Sequence, residues 1–281
     1  MSIDHASQTT LITGASSGIG AALARRLAER GTGLVLVARR AERLEALAAE
    51  LRDAHGVGVE TVSADLGRPG AGRDLAAEID RRGLEVTSLV NNAGVGMDGA
   101  FREQDPDELG AMVALNVGAV VDLSRAFVGR LAERGDGYLV NVASMAAYQP
   151  IPGMAAYAAT KSFVLSFTEA LWWETRDSGL RTMAFSPGLT RTEFFDAIGA
   201  EGYPGGFQTP DEVALALLRA LDRRRSVPSA LSRAGNVLAT SLARFFGRRS
   251  AVLVTARAAR SAQLMRKSRA TPAQRSRGRT K

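Results

Sequence analysis

The chain has 281 residues, of which 46% are hydrophobic and 23% charged, as is usual for a globular protein with a sizeable core. It has no cysteine and only two histidines, His5 and His55. This excludes disulfides and thiolate metal sites, and leaves little for a histidine-based metal centre or triad. The N-terminus has no basic segment followed by an apolar core, and we find no run of the ~18 apolar residues that a membrane span needs. We therefore expect a cytoplasmic protein without a metal site.

The net charge of +7 is unevenly distributed along the chain. Residues 223–281 carry 16 of the 36 Lys and Arg and none of the 29 Asp and Glu. Residues 1–222 consequently have a net charge of −9. This pattern predicts an acidic body with a basic C-terminal segment, and it argues against a nucleic-acid binder that is basic throughout.

Short β-rich segments alternate with longer helical ones up to about residue 230. The strand-like segments are 9–13, 33–38, 57–62, 87–91, 137–143 and 180–186, with a short edge strand near Ser226–Ser229. The helical segments that stand out are 21–31, 41–56, 106–135, 157–179 and 209–221. The alternation predicts an α/β fold with a doubly wound, mostly parallel sheet, the Rossmann fold. We expect one domain over 1–230 and a basic, partly helical extension over 231–281.

The segment 13–20, "TGASSGIG", directly follows the first predicted strand and opens the first helix. Glycines at such a turn permit tight chain reversal and close approach of the backbone to a phosphate. The N-terminus of the following helix offers unpaired N–H groups and a partial positive charge to that phosphate. The segment therefore predicts a dinucleotide-binding turn.

Further motifs follow in order: "NNAG" at 91–94, Asn116, Ser144, "YAATK" at 157–161 and "PGLTRT" at 187–192. Together with the TGxxxGxG spacing of 13–20, they resemble the signature of the short-chain dehydrogenase/reductase family over residues 9 to about 222. The resemblance implies an oxidoreductase that transfers hydride between a nicotinamide dinucleotide and a carbonyl or alcohol. It implies cofactor contacts from Gly14, Ser16, Ser17, Gly18, Ile19, Gly20, Asp65, Leu66, Asn92, Ala93, Gly94, Tyr157, Lys161, Pro187, Gly188, Leu189 and Thr192.

The cofactor preference depends on the end of the second strand, where Ala38 is followed by Arg39 and Arg40. An acidic residue at this place usually binds the ribose 2′-hydroxyl of NAD and would repel the 2′-phosphate of NADP. Here no acid is present, and Arg39 is placed for a charge-assisted bond to that phosphate. The alternative is that both arginines merely begin a solvated helix. We expect NADP(H).

Tyr157 and Lys161 are four residues apart in a predicted helix, so they share one face. An ammonium beside a phenol favours the phenolate, so we expect Lys161 to lower the pKa of Tyr157. The resemblance implies that Tyr157 is the general acid/base, that Lys161 also holds the nicotinamide ribose, and that Ser144 binds the substrate oxygen. Asn116 is either a buried residue that compensates a helix distortion or a member of a water-linked proton path to Lys161, and both roles are compatible.

Two further segments each allow more than one interpretation. Residues 194–207 are either a packed surface loop or a mobile lid. The tail offers one apolar helix face, formed by Leu238, Leu242, Phe245 and Phe246, among many basic residues. It could lie on an anionic membrane or pack on the acidic body or a second subunit, with nucleic-acid binding the weakest alternative. The composition of 271–281 predicts disorder.

We therefore expect an NADP(H)-dependent carbonyl reductase or alcohol dehydrogenase with a small-molecule carbonyl or alcohol substrate. The resemblance implies a homodimer or homotetramer formed by the long helices near 107–131 and 160–178. We expect no specific nucleic-acid partner, and peripheral membrane contact only through the tail. A non-catalytic NADP-binding sensor or scaffold that acts through the basic tail is the alternative function.

Overall fold

The computed structural model describes residues 3–194, 206–233, 249–250 and 252–257. Its centre is a seven-stranded parallel sheet with the strand order β3-β2-β1-β4-β5-β6-β7. The strands are β1 (Thr9–Thr13), β2 (Gly33–Ala38), β3 (Val59–Ser63), β4 (Ser88–Asn91), β5 (Tyr138–Val142), β6 (Arg181–Ser186) and β7 (Ser229–Leu231). This confirms the predicted doubly wound α/β architecture.

Seven α-helices connect the strands within the described residues. They are α1 (Gly18–Ala28), α2 (Ala41–His55), α3 (Ala71–Arg81), α4 (Pro106–Val113), α5 (Ala119–Arg134), α6 (Ala155–Thr175) and α7 (Pro210–Leu221). Between α4 and α5 the chain forms a π-helical segment, Ala114–Gly118. The long predicted helix 106–135 is thus interrupted once, at the turn that contains Asn116.

The sheet is buried on both faces, which explains why its central strands are almost entirely apolar. One face is covered by α1, α2 and α7, with core residues such as Leu23 and Leu217. The other face is covered by α3, α5 and α6, with Ile79 and Phe127 fully buried. The direction of winding reverses between β1 and β4, since β1 pairs with β2 on one side and β4 on the other. A crevice opens there at the carboxyl ends of the strands.

The sequence pattern did not single out α3, although its buried residues Leu75, Ala76 and Ile79 lie on one helical face. Its first turn contains Gly72, whose glycine character is required by packing: an added Cβ would lie 2.6 Å from the Cβ of Asp122 on α5. A glycine near the start of a helix weakens the local signal, and tertiary contact with α5 stabilises the helix instead.

The stretch Pro106–Arg134 is long and apolar enough to cross a membrane by length and composition, which the sequence analysis did not anticipate. In the fold, however, its second half packs on the sheet through Leu123, Phe127 and Leu131. We therefore assign it as a core helix of the domain.

The proposed apolar face of the tail, Leu238 to Phe246, and residues 195–205 of the predicted loop lie outside the described residues. Residues 252–257 are helical, and the hydroxyl of Thr255 donates a hydrogen bond of 2.8 Å to the carbonyl oxygen of Pro150. This part of the tail therefore contacts the main domain.

Candidate active site

A cleft of about 490 Å³ runs along the carboxyl ends of the strands at the point where the sheet reverses its winding. It is lined by most of the residues singled out from the sequence. These are Gly14, Ser16, Ser17, Gly18, Ile19, Arg39, Asp65, Leu66, Asn92, Ala93, Gly94, Ser144, Tyr157, Lys161, Pro187, Gly188 and Thr192.

The turn between β1 and α1 requires its glycines. Gly14 and Gly18 have φ angles of 70° and 55°, which L side chains rarely adopt. Gly20 lines no part of the cleft, but a Cβ there would lie 2.4 Å from the carbonyl oxygen of Gly14. The Ser17 side chain makes no capping bond at the start of α1, so the N–H groups of this helix end remain available to an anion.

Asn92 joins this turn to the neighbouring strand. Its Nδ2 donates to the carbonyl oxygen of Thr13 at 2.9 Å, and its own N–H donates to the hydroxyl of Thr13 at 3.0 Å. Next to it, the Asn91 Nδ2 donates to Oδ1 of Asn141 at 2.8 Å. The asparagines of "NNAG" thus hold the central strands together at the rim of the cleft.

At one end of the cleft, the two arginines after β2 have different surroundings. Arg39 is exposed and lines the cleft, and its guanidinium forms no ion pair among the residues that the structure describes. Arg40 donates to the hydroxyls of Ser16 and Ser17 at 3.1 and 2.8 Å. It also forms an ion pair of 2.8 Å with Glu193, which lines the cleft as well.

At the other end, Ser144 follows β5 and Tyr157 lies in the first turn of α6. A hydrogen bond with the Ser144 hydroxyl connects the two side chains and favours the ionised phenol. Burial acts in the opposite direction and dominates, raising the pKa of Tyr157 to about 12. The expected net lowering of this pKa by Lys161 is therefore not found for the protein's own groups, because burial outweighs the hydrogen bond that favours the phenolate.

Lys161 is itself buried, with 5% of the surface of the residue exposed. Its Nζ donates a hydrogen bond of 2.9 Å to the carbonyl oxygen of Val142, the last residue of β5. Burial lowers the pKa of Lys161 to about 8. The ammonium group of Lys161 lies close to Gly94 in the cleft, since a Cβ added to Gly94 would be 3.2 Å from Nζ. It therefore places a positive charge next to this part of the cleft.

Asn116 does not line the cleft. It lies in the π-helical turn, fully buried, and exchanges two hydrogen bonds with the backbone of Val95, of 2.9 and 3.1 Å. Its Nδ2 also donates to Thr160 Oγ1 at 3.1 Å. The proposed compensation of a helix distortion is thus visible: the side chain ties the widened turn to the segment after β4 and to α6.

The side chains that surround Tyr157 are mostly apolar. The ring of Phe194 lies 5.4 Å from the Tyr157 ring, centroid to centroid. The same cluster contains Met97, Met112, Ile151, Met154 and Phe207. By contrast Tyr138 lies inside the sheet, where its hydroxyl bonds Thr10 at 2.6 Å and burial raises its pKa.

A model of the short chain dehydrogenase family matches residues 8–202, more than half of the chain. The protein belongs to the short-chain dehydrogenase family. It is an oxidoreductase of that family, in agreement with the motifs of the sequence.

Several known proteins are similar to it. Sulfoacetaldehyde reductase 2 of Chromohalobacter salexigens is 37% identical over 190 residues, which cover 67% of this chain and 75% of the relative. A short-chain dehydrogenase of Sphingobium yanoikuyae, solved in complex with NADPH, is 39% identical, with a TM-score of 0.76 over 84% of this chain and 93% of that one. A bulky-bulky ketone specific alcohol dehydrogenase of Comamonas testosteroni is 33% identical, with a TM-score of 0.72 over 84% and 92%.

In this short-chain dehydrogenase, sequence reasoning missed Thr190 and Glu193, which line the cleft, and it gave no individual contact to Arg40 or Phe194, which also line it. Leu189, which was predicted, does not line it; its carbonyl oxygen accepts a hydrogen bond from Gln208 instead. These residues are adjacent in sequence to predicted ones. The ion pairs of Glu193 with Arg40 and Arg43, however, form only in the folded chain.

Proposed function

We propose that this dehydrogenase interconverts a carbonyl and an alcohol with NADP(H), and that Tyr157 is the general acid/base. The observation that supports this most is the placing of the Tyr157 phenol, the Ser144 hydroxyl and the Lys161 ammonium at one end of a cleft whose other end is the glycine-rich turn. A bound NADP(H) supplies or accepts the hydride.

The residues of the cleft are suited to a dinucleotide. Gly14, Gly18 and Gly94 leave the backbone open to close approach, and any side chain at Gly94 would meet Asn116 and Lys161. The start of α1 offers N–H groups to a pyrophosphate. Arg39, which forms no ion pair among the described residues, offers its charge to a 2′-phosphate. We assign the other predicted residues that line the cleft to the adenosine and nicotinamide ends; these are Asp65, Leu66, Asn92, Ala93, Gly94, Pro187, Gly188 and Thr192.

In reduction, the phenol must be protonated before it can donate. A pKa of about 12 keeps Tyr157 protonated at neutral pH, and the Ser144 hydroxyl orients it toward the substrate oxygen. As the proton leaves, negative charge develops on the phenol oxygen, and the nearby Lys161 ammonium stabilises it. Neutral pH is therefore favourable for the reductive direction.

The apolar cluster around Tyr157 supports an apolar ketone or alcohol as substrate. Met97, Ile151, Met154 and Phe194 offer no charged group to a substrate. A steroid, fatty-acyl, xenobiotic or polyketide-like ketone would each fit this chemistry. The test is the loss of NADPH absorbance with a panel that pairs bulky apolar ketones with small anionic aldehydes. Turnover of only the anionic aldehydes would contradict the proposed substrate class.

The same panel tests the alternative, a non-catalytic NADP-binding sensor. Tight NADPH binding without turnover of any carbonyl compound would favour the sensor. The complete set of Ser144, Tyr157 and Lys161 in one cleft supports the enzyme, because a sensor needs neither the proton donor nor its stabilising charge.

We further propose that the extension beyond residue 230 docks on the catalytic domain and contacts an anionic membrane surface. Thr255 is buried against Pro150, while Val252, Leu253 and Val254 are exposed on the same short helix. Exposed apolar side chains within a basic segment suit a membrane interface. Flotation with anionic and neutral vesicles, for the full chain and for residues 1–230, tests this: equal flotation of both proteins would contradict it.

A further inference from the structure

We propose that Glu193 competes with the 2′-phosphate of the cofactor for the arginines of α2, and thereby sets the affinity of the enzyme for phosphorylated dinucleotides. This inference rests on the proposed NADP(H) function and concerns a residue outside the motifs that the sequence displays. It is carried by four polar contacts at the adenosine end of the cleft.

The first observation is that a carboxylate occupies a cluster of guanidinium groups. Glu193 Oε2 accepts from Arg40 Nη1 at 2.8 Å, and its Oε1 accepts from Arg43 Nη1 at 2.5 Å. One anionic group is therefore shared between two cations at the start of α2. The two oxygens present the same geometry as two oxygens of a phosphate, which guanidinium groups bind equally well.

The second observation is that Arg40 is held to the glycine-rich turn. Its remaining donors reach the hydroxyls of Ser16 and Ser17, at 3.1 and 2.8 Å. The two hydroxyls thus fix the guanidinium of Arg40 at the turn, and Glu193 is the anion that this guanidinium binds within the described residues. The cleft is lined by Ser16, Ser17, Arg40 and Glu193.

The third observation is that Glu193 is positioned by its neighbours along the chain. Thr192 lies beside the glycine-rich turn, because a Cβ on Gly18 would be 3.0 Å from Thr192 Cγ2. Phe194 packs on the ring of Tyr157. The chain between these two anchors runs across the cleft, so the carboxylate of Glu193 reaches α2 from the opposite wall.

Charge decides the direction of the effect. Arg39, Arg40 and Arg43 carry three positive charges against the single charge of Glu193. A 2′-phosphate placed on Arg39 meets a carboxylate already bound to the adjacent guanidinium, so it must either displace that carboxylate or tolerate its repulsion. A nucleotide without the 2′-phosphate meets neither cost. Glu193 therefore lowers affinity selectively for the phosphorylated form.

The test is calorimetric binding of 2′,5′-ADP and 5′-AMP to the full-length protein and to Glu193→Gln, which keeps the size and removes the charge. We expect the affinity for 2′,5′-ADP to rise by about fivefold to tenfold, from one carboxylate charge removed at contact distance in water. The affinity for 5′-AMP should stay within about twofold, which also shows that the variant is folded.

Glu42→Gln is the matched control, since Glu42 is an exposed acid on α2 next to Arg43 but forms no ion pair among the described residues. It should leave both affinities within about twofold, because an exposed charge without direct contact is screened by salt. An unchanged ratio of the two affinities in Glu193→Gln would overturn the inference. So would weaker binding of 2′,5′-ADP, since Glu193 would then help to retain the nucleotide.

The failure of the proposed function would look different. If neither the wild type nor Glu193→Gln binds 2′,5′-ADP more tightly than 5′-AMP, the NADP(H) preference itself is wrong. If the wild type prefers 2′,5′-ADP and the preference is the same in Glu193→Gln, the function stands and only the role of Glu193 is rejected.

Discussion

Lys161 Nζ donates a hydrogen bond of 2.9 Å to the carbonyl oxygen of Val142, so a buried ammonium of α6 is tied to the end of β5. Burial lowers the pKa of this ammonium from 10.5 to about 8. The folded protein therefore holds the charge at a cost in free energy, and the hydrogen bond offsets only part of that cost. The charged form of Lys161 therefore does not stabilise the fold, which agrees with the role in the site that we propose for it.

This cost predicts a pH-dependent effect of Lys161→Met. Below pH 8 both the folded and unfolded chains are protonated, so we expect the variant to be more stable by a few kcal/mol. Between pH 8 and 10 the wild type releases the proton when folded but keeps it when unfolded, so its own stability rises and the difference shrinks. Urea unfolding of both proteins from pH 7 to 10 measures this. A difference that does not change with pH would contradict the assigned burial cost.

Tyr157→Phe should lower kcat/KM for a ketone by about 10²–10⁴-fold, because the proton donor is removed. NADPH affinity should change by less than about twofold. Steady-state kinetics and NADPH fluorescence measure the two quantities. Tyr148→Phe is the control, since the buried Tyr148 hydroxyl has no hydrogen-bond partner among the described residues. Full activity in Tyr157→Phe would reject the proposed mechanism.

Arg39→Ala should weaken NADPH binding by about tenfold or more, from the loss of a charge-assisted bond, and leave NADH binding nearly unchanged. The control is Arg102→Ala, which removes an exposed arginine that pairs only with its neighbour Glu103 in the described contacts. Titration of each variant with NADPH and with NADH measures the two affinities. An equal loss for NADPH and NADH would mean that Arg39 does not bind the 2′-phosphate.

Gly20→Ala should destabilise the fold by about 1–3 kcal/mol and weaken dinucleotide binding. Its added methyl group would lie 2.4 Å from the Gly14 carbonyl oxygen, which forces α1 away from β1. Gly58→Ala is the matched control, because a Cβ there meets nothing within 4 Å. Thermal unfolding and NADPH titration test the pair. Comparable stability of the two variants would show that the turn adapts.

Phe163→Glu should shift the protein toward monomers, if the proposed homodimer or homotetramer forms through the long helices. Phe163 and Trp173 are exposed on α6, at 42% and 59%, on a face that also carries small residues. A carboxylate in such a face opposes its burial. Light scattering after gel filtration measures the mass. Phe101→Glu is the control, because Phe101 is exposed outside this helix.

Much of the fold was predictable because it is encoded in local patterns. β1 and β2 begin and end at the predicted residues, since a central parallel strand is a short apolar run with turn residues at both ends. Helix α2 ends at Gly56 in the left-handed conformation, as its terminal glycine predicted. The glycine-rich turn and the Tyr157–Lys161 pair were also recognisable, because each needs particular residues at close spacing.

Other features depend on contacts between distant segments. The sequence suggested a helix distortion at Asn116, but the partners of that side chain, Val95 and Thr160, lie in distant segments and become visible only in the fold. The high pKa of Tyr157 results from burial by Phe194 and its neighbours, so spacing alone gave the wrong direction.

By itself, the sequence determined the order of the elements and the sheet class, and it pointed to the side chains that we propose as reacting groups, because these depend on residue type and near-neighbour spacing. Only the tertiary structure decided the pKa values of those groups and the ion pairs around the cleft. Desolvation and long-range ion pairs have no local signature, so Lys161 with its lowered pKa, and Glu193 between Arg40 and Arg43, become visible only when the chain is folded.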